Sequence, residues 1–384
     1  MRDCSVEKLL ESLGDPAADR DYRPGHGRVA AMLTGRRLQR PRLRIRVAGT
    51  NGKGSTATMV AAGLQAAGLR VGLYTSPHLH HFHERISIDG VAIDDQLLRA
   101  ELMRLLPIAI KEGGSYFEVA TVAALSLFSD AGVDAEVLEA GVGARLDATT
   151  AVDADMALLT PVALDHQQWL GDSLCAVAAE KGEVASGCRW FLSAQQPDVV
   201  RTVLRDHYPS VRWVPHDPLL GCAMAGLHQQ QNGALALAAL DQLRQADVIS
   251  ADEELLRGAV VSVRLAGRLQ CYRLNGSSIW LDVAHNAHAV ASVVRALPNP
   301  LDAILIYTRD DRSLTDQQPL LSQAGSRLIG RERGVWGESH PTVEAALDHL
   351  LINGIPSRVA VLGSFVTVAA AQKWLIENGG ESVE

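Results

Sequence analysis

Cysteine is scarce in this chain of 384 residues. Cys4, Cys175, Cys188, Cys222 and Cys271 form an odd-numbered set with no close pair, which argues against a disulfide framework and against a zinc finger. Basic residues are in deficit as well: 36 Lys and Arg against 44 Asp and Glu leave a formal charge of −8. General affinity for a nucleic-acid backbone is therefore not expected, although a local basic pocket remains open. Long apolar runs are missing too, since no stretch approaches the ~18 consecutive apolar residues of a membrane helix. The opening MRDCSVEKLLESLGDP mixes charges early and reads as an amphipathic helix rather than a signal peptide. The expectation is a soluble cytoplasmic monomer with neither nucleic-acid nor membrane partners.

Hydrophobic residues at 47% and charged residues at 21% supply a large core and argue against long disorder. The length allows two or three domains of ~100–200 residues each. Short β-type runs alternate with helical patterns. Strands are expected over 44–47, 71–74, 135–138 and 156–160, and helices over 55–67, 117–131 and 175–183. Such alternation implies an α/β fold with a mostly parallel sheet, which gathers ligands beyond the carboxyl ends of its strands. Two helices follow, over 230–245 and 252–261. The alternation then starts afresh with strands at 278–283, 302–307 and 358–362 and helices at 287–296 and 342–353. These patterns place an N-terminal domain over 1–264 and a smaller C-terminal α/β domain over 265–384.

The strongest local signal is Gly49-Thr50-Asn51-Gly52-Lys53-Gly54-Ser55-Thr56, between a strand and a helix. Glycines let the backbone curl so that its N–H groups face phosphate oxygens, and the helix N-terminus adds partial positive charge. Lys53 can reach terminal phosphates, and Ser55 or Thr56 can offer a hydroxyl to Mg²⁺. The spacing is shorter before the lysine than in the usual phosphate loop, with an extra glycine after it.

GTNGKGST resembles the phosphate loop of the folylpolyglutamate synthase/dihydrofolate synthase family, a branch of the Mur-type ATP-dependent amide ligases. Further segments match in the same order: Tyr74-Thr75-Ser76-Pro77-His78-Leu79, Glu84-Arg85-Ile86, Tyr116-Phe117-Glu118, the run Leu138–Thr149, Leu164–Gly171 and Glu180-Lys181. In the C-terminal part, Ala266-Gly267-Arg268, Asp282-Val283-Ala284-His285-Asn286 and Gly363-Ser364-Phe365 continue the series.

The resemblance implies a Mur-ligase-like ATP-binding domain, a Rossmann-like C-terminal domain, and a ligase that activates a carboxylate as an acyl phosphate before glutamate displaces phosphate. It makes Lys53, Glu139, His166 and Lys181 the catalytic candidates, and Ser55, Ser76, Glu139 and His166 the Mg²⁺ shell. The phosphate-loop residues with Asn232, Arg268, Asp282 and His285 would contact ATP. A site divided between domains is expected to close on binding. Phe117 and Asp147 would line a pterin pocket, an apolar face with a carboxylate for the ring N–H groups.

Blander readings stand beside several of these. His166 could cap a helix, Asn232 could be an N-cap, Phe117 could be core, and Arg268 could pair locally with a carboxylate. Lys181 is either carbamylated, as in relatives, or a solvated helical lysine. The histidines of His78-Leu79-His80-His81-Phe82-His83 are not spaced to converge on one zinc ion.

The chain departs from the family in Thr150, in Glu180-Lys181-Gly182-Glu183, in Arg309-Asp310-Asp311-Arg312 and in Val366. Dihydropteroate or a reduced folate is the expected acid, with glutamate as the amine. A paralogue acting on a non-folate carboxylate and a degenerate nucleotide-binding member are the alternatives. Retention of Lys53, Ser55, Glu139 and His166 argues against the last.

Overall fold

The computed structural model describes residues 5–11, 13, 24–310, 312–331 and 335–383. Cys4 and Asp311 lie outside the described residues. The chain divides into two compact units, one of residues 1–221 with 230–263 and one of residues 222–229 with 264–384. The boundary expected from the sequence pattern lies between 264 and 265. The short segment 222–229, which the sequence pattern left with the first domain, groups with the second unit.

In the first unit the described strands are β1 (Leu43–Ala48), β2 (Val71–Tyr74), β3 (Ile86–Ile88), β4 (Val91–Ala92), β5 (Ala135–Glu139), β6 (Met156–Leu159), β7 (Trp190–Ser193) and β8 (Arg212–Trp213). They form one sheet in the order β4-β3-β2-β5-β1-β6-β7-β8. β3 pairs antiparallel with both β2 and β4; every other neighbouring pair is parallel. Helices Asp95–Glu112 and Tyr116–Ala131 bury their apolar sides in one core, and helices Leu174–Gly182 and Asp198–His207 in another. By strand register these two cores lie on one face of the sheet, and helix Lys53–Ala66, packed against β1, β2 and β5, covers the other, as a parallel sheet requires.

Covering the central strand on both faces has a consequence for its charge. The sequence of β1, Leu-Arg-Ile-Arg-Val-Ala, alternates as though one face were wet, yet all six residues are buried. Arg44 is matched by Glu136, its register partner on β5. Arg46 donates from its two terminal nitrogens to the carbonyls of Val152, Val184 and Ser186, while its buried Nε has no partner. Buried cations persist only with such partners. A Cβ on Gly72 of β2 would stand 2.6 Å from the Phe128 ring, so glycine is what lets helix Tyr116–Ala131 approach.

The second unit carries β9 (Gln270–Leu274), β10 (Ser277–Asp282), β11 (Ala303–Ile306), β12 (Leu328–Gly330), β13 (Glu338–Ser339), β14 (Arg358–Leu362) and β15 (Glu381–Val383). Their order is β13-β12-β11-β14-β10-β9-β15, parallel from β13 to β10 and antiparallel at β9 and β15. Helices Ala287–Ala296, Val343–Asn353 and Phe365–Glu377 each begin at a side-chain cap, from Asn286, Thr342 and Ser364. The fold is therefore α/β in both units. Among the described residues no helix is long and apolar enough to cross a membrane.

Candidate active site

The register of the parallel strands brings three strand ends level: Val47 of β1 faces Glu139 of β5, and Ala48 faces Leu159 of β6. The loops that leave these ends are consequently neighbours. The first is the glycine-rich turn. Gly49 has φ +140°, and a Cβ there would lie 1.9 Å from Thr160 Oγ1 at the end of β6. Gly52 has φ +90°, and its Cβ would lie 2.3 Å from Asn232 Oδ1. Neither position accepts another residue without movement. Thr50 ties the turn to the loop after β6: its N–H donates to Pro161 O at 3.0 Å, and its hydroxyl donates to Ala163 O at 2.9 Å.

Helix Lys53–Ala66 starts directly from Gly52 without a side-chain cap, so its first N–H groups are not taken by a capping oxygen. The buried hydroxyls of Ser55 and Thr56 have no hydrogen-bond partner in the protein. Such groups cost free energy unless something binds them. Beside them is Glu139, buried at the end of β5, whose Oε2 accepts the Ser76 N–H at 2.8 Å. A Cβ on Gly54 would lie 3.3 Å from the same oxygen. The structure thus gathers Ser55, Ser76 and Glu139 at one helix N-terminus. Oxygen donors of this kind suit a hard divalent cation such as Mg²⁺. His166 stands where the loop after β6 enters the short helix Gln167–Leu170, in the left-handed region at φ 51°, with Nε2 3.8 Å from Asp165 Oδ2.

Two amines converge on the turn. Lys53 Nζ donates to the carbonyls of Gly49 at 3.3 Å and Thr50 at 3.1 Å. Lys181 Nζ donates to the same Gly49 oxygen at 2.8 Å. Lys181 is fully buried in helix Leu174–Gly182, so the reading of a solvated lysine is corrected. Its stripe Val177, Ala178, Lys181 and Gly182 faces inward, while Glu180 pairs outside with Arg145. Burial, reinforced by Lys53, pulls the Lys181 amine down to about 7.

Asn232 sits in the second turn of helix Leu227–Gln245, packed on Gly52, which corrects the N-cap reading. Phe117 covers Gly141 just past β5, where a Cβ would meet its ring at 2.8 Å, and lies 5.8 Å from the Tyr74 ring. Asp147, expected against a pterin, is buried with both oxygens engaged. Oδ2 accepts from Gly141 N and Val142 N, and Oδ1 accepts from Thr149 N and Oγ1. Its carboxylate is committed to holding this loop rather than facing a ligand.

In the second unit, Arg268 lies 5.2 Å over the Phe365 ring, and His285 Nδ1 is 2.8 Å from Val283 O. Asp282 accepts from Leu269 N at 2.9 Å and Ala284 N at 2.8 Å, so its oxygens also hold a turn. Burial, against the pull of Arg268, raises its carboxyl to about 6.

The histidine-rich loop is organised by Glu84, which accepts the N–H groups of Leu79, His80 and His81. His78 accepts from Arg85 Nε, and burial with that guanidinium holds its ring down to about 4. The sequence reading missed Thr160, the residue under Gly49. It also missed Arg85 as a buried cation between the rings of Phe82 and Tyr116. A threonine ending an apolar strand and an arginine flanked by aromatics were the available signals.

Two outcomes follow from this packing. Gly52→Ala should lose roughly 1–3 kcal/mol of stability through backbone strain and collision with Asn232. Adding Asn232→Ala should recover part of that loss in urea denaturation, and strictly additive losses would show that Asn232 does not fill the space. The second concerns pH. Between about 7 and the ordinary 10.5, the unfolded chain holds a proton on Lys181 that the folded chain lacks. Stability should therefore rise with pH across that window, by up to about 1.4 kcal/mol per unit from this group, and be insensitive to it below. Lys181→Met should remove this slope. A stability difference between the two proteins that is constant from neutral to alkaline pH would mean the amine stays charged.

No protein-family model matches the chain. It is 34% identical over 273 residues to the dihydrofolate synthase/folylpolyglutamate synthase of Escherichia coli (strain K12), over 66% of this chain. The match spans 64% of that protein's length, a little under two thirds. It is 29% identical over 391 residues to the dihydrofolate synthase/folylpolyglutamate synthase of Haemophilus influenzae, covering 85% of this chain and 87% of that one. The structure of Escherichia coli FolC in complex with DHPP and ADP superposes with a TM-score of 0.80 at 26% identity, over 98% of this chain and 99% of that one. By these similarities in sequence and in fold, the chain belongs to the dihydrofolate synthase/folylpolyglutamate synthase family.

Proposed function

We propose that the chain is an ATP-dependent ligase that joins L-glutamate to the carboxylate of dihydropteroate or a reduced folate. The observation that carries this reading is the glycine turn itself. Its curl is enforced by Thr160 and Asn232, two lysines meet at Gly49, and the unpartnered hydroxyls of Ser55 and Thr56 follow Gly54, which adjoins Glu139. The names of the relatives supply the substrate class: dihydrofolate and folylpolyglutamate synthesis, with DHPP and ADP in the FolC complex.

In this reading a substrate carboxylate oxygen attacks the γ-phosphorus of ATP, and the bond to the bridging oxygen breaks to release ADP. The glutamate amine then attacks the acyl carbon, phosphate leaves, and the amine proton is lost to solvent or base. The N-terminal N–H groups of helix Lys53–Ala66 bind the phosphates. Lys53 would turn from the Gly49 and Thr50 carbonyls to the terminal phosphate, where its charge counts most as negative charge shifts in the transition state. Ser55, Ser76, Glu139 and His166 would hold Mg²⁺, which when bound neutralises charge on the phosphate oxygens. Phe117 offers a ring face to a flat heteroaromatic acid, while Asp147 shapes the loop below it. Arg268 and His285 are the candidates for nucleotide contact in the second unit.

Lys181 adds a further element. An amine near neutrality is the species that attacks carbon dioxide, and the resulting carbamate would put a negative group where Gly49 O now takes its N–H. That group would serve as an oxygen ligand or as an anchor for Lys53.

Lys53→Ala should lower turnover by about a thousand-fold or more, and Glu139→Gln by about a hundred-fold or more, with the fold retained. Near-normal kcat in either would show the site to be elsewhere. The measurement is ADP release with glutamate and, in turn, dihydropteroate, tetrahydrofolate and a panel of other acids. Glutamate-dependent turnover with non-pteridine acids only would select the paralogous reading, and turnover with none would select a nucleotide-binding protein. For the carbamate, ¹³C-bicarbonate should give a protein-bound carbamate resonance that Lys181→Met lacks. An identical spectrum from both proteins would remove it.

A further inference from the structure

At the edge of the second sheet three side chains of different elements meet. Glu338 belongs to β13, His340 follows it by one residue, and His349 projects from helix Val343–Asn353. One potential ligand atom from each lies within 4.8 Å of the other two. All three residues are half-buried, and among the described residues this is the one cluster of three metal-ligating side chains so arranged. The phosphate-loop chemistry does not use it.

We propose that Glu338, His340 and His349 form a binding site for a late first-row divalent cation, Zn²⁺ foremost, that fastens edge strand β13 to helix Val343–Asn353. Two imidazoles and one carboxylate are a donor set suited to Zn²⁺ and poorly suited to Mg²⁺. Around a tetrahedral Zn²⁺ with bonds of roughly 2.0–2.1 Å, donor atoms stand about 3.3 Å apart. The side chains therefore need only close by rotamer adjustment, and their partial exposure leaves room for it.

The backbone beneath them is fixed. His340 N–H donates to Gly330 O at 3.0 Å, and the Tyr307 hydroxyl donates to His340 O at 3.2 Å. Glu338 lies in register with Ile329 of β12. The helix that carries His349 is anchored by the Thr342 cap.

Arg327 gives Glu338 an outer partner, donating from Nε at 2.7 Å and from Nη2 at 2.8 Å. Each carboxylate oxygen keeps a second lone pair for a metal, and the guanidinium orients it. The same guanidinium places a like charge near the ion, so affinity should be moderate, in the micromolar range. Asn353 Nδ2 lies 3.3 Å from His349 Nδ1, a long contact that costs little to replace.

The test uses the full-length, untagged chain stripped with chelator. Titration with Co²⁺, read by its visible absorption, and with Zn²⁺, read by calorimetry, should show a single equivalent bound, and Zn²⁺ should raise the unfolding temperature. His340→Gln and His349→Gln should each weaken binding about ten-fold or more and lose the temperature shift, with the circular dichroism unchanged. Glu338→Gln keeps the side chain's shape and provides a second reading should a histidine variant fail to fold. His81→Gln with His83→Gln, in the other histidine-rich loop, should leave binding intact. Equal uptake by wild type and the His340→Gln/His349→Gln double variant, loss of binding only in the His81/His83 variant, or no binding at micromolar metal would each overturn the proposal.

Discussion

A single carbonyl, that of Gly49, takes hydrogen bonds from two lysines that approach from different elements, Lys53 from its own helix and Lys181 from across the sheet. Both contacts depend on the backbone curling tightly at the end of β1, and that curl depends on there being no side chain at Gly49 or Gly52. Thr160 and Asn232 occupy the space a Cβ would need. The register of β5, β1 and β6 is what delivers those neighbours, because level strand ends make adjacent loops. A slip of one residue in either pairing would turn Glu139 or Thr160 to the opposite face. The turn, the acidic residue and the second lysine are therefore one construction rather than three separate features.

Buried positive charge is handled in two ways in the same sheet. Arg44 and Arg46 lie within β1 and are met by Glu136 and by backbone carbonyls. A guanidinium cannot readily release its proton, so it must be matched in place. Lys181, near the carboxyl end, has one carbonyl and a neighbouring ammonium, and burial lowers the cost of losing its proton. The residue type thus decides the outcome: arginine stays a fixed structural cation, whereas burial draws the lysine amine down to about 7.

The inner strands were readable because they are apolar runs bounded by glycine or charge; Val71–Tyr74 and Arg358–Leu362 appear with the bounds that the sequence suggests. The edges were not. β4, β8 and β13 are two residues each, β4 is exposed, and pairing at a sheet edge leaves almost no mark on composition. Helix Asp95–Glu112 also escaped, since it contains Pro107 and polar residues that read as a break. In the site, the order of motifs was plain, but the direction of a side chain was not. Glu180 and Lys181 are adjacent and look equally solvated in the sequence, yet one helical step separates an exposed ion pair from a buried amine. The signal lay in Val177 and Ala178, which put position 181 on the inward stripe.

A carboxylate at or beyond the carboxyl end of a parallel strand invites a ligand-binding role, but in Asp147 and Asp282 the hydrogen bonds assign a different one. Asp147 spends its oxygens on four donors between Gly141 and Thr149, and Asp282 spends its own on Leu269 and Ala284. Both are pushed toward the neutral acid by burial even so, which is the expense of keeping a loop rigid with a charged group in place of a serine or asparagine. Glu139 differs. It is equally buried, but its Oε2 accepts the Ser76 N–H from a different loop and adjoins Gly54, which precedes the orphaned hydroxyls of Ser55 and Thr56. A buried acid whose surroundings leave other polar atoms unsatisfied is an incomplete site, whereas one that satisfies its surroundings is a finished turn. By that criterion Glu139 is the candidate for the proposed cation, and the two aspartates each hold the loop in which they sit.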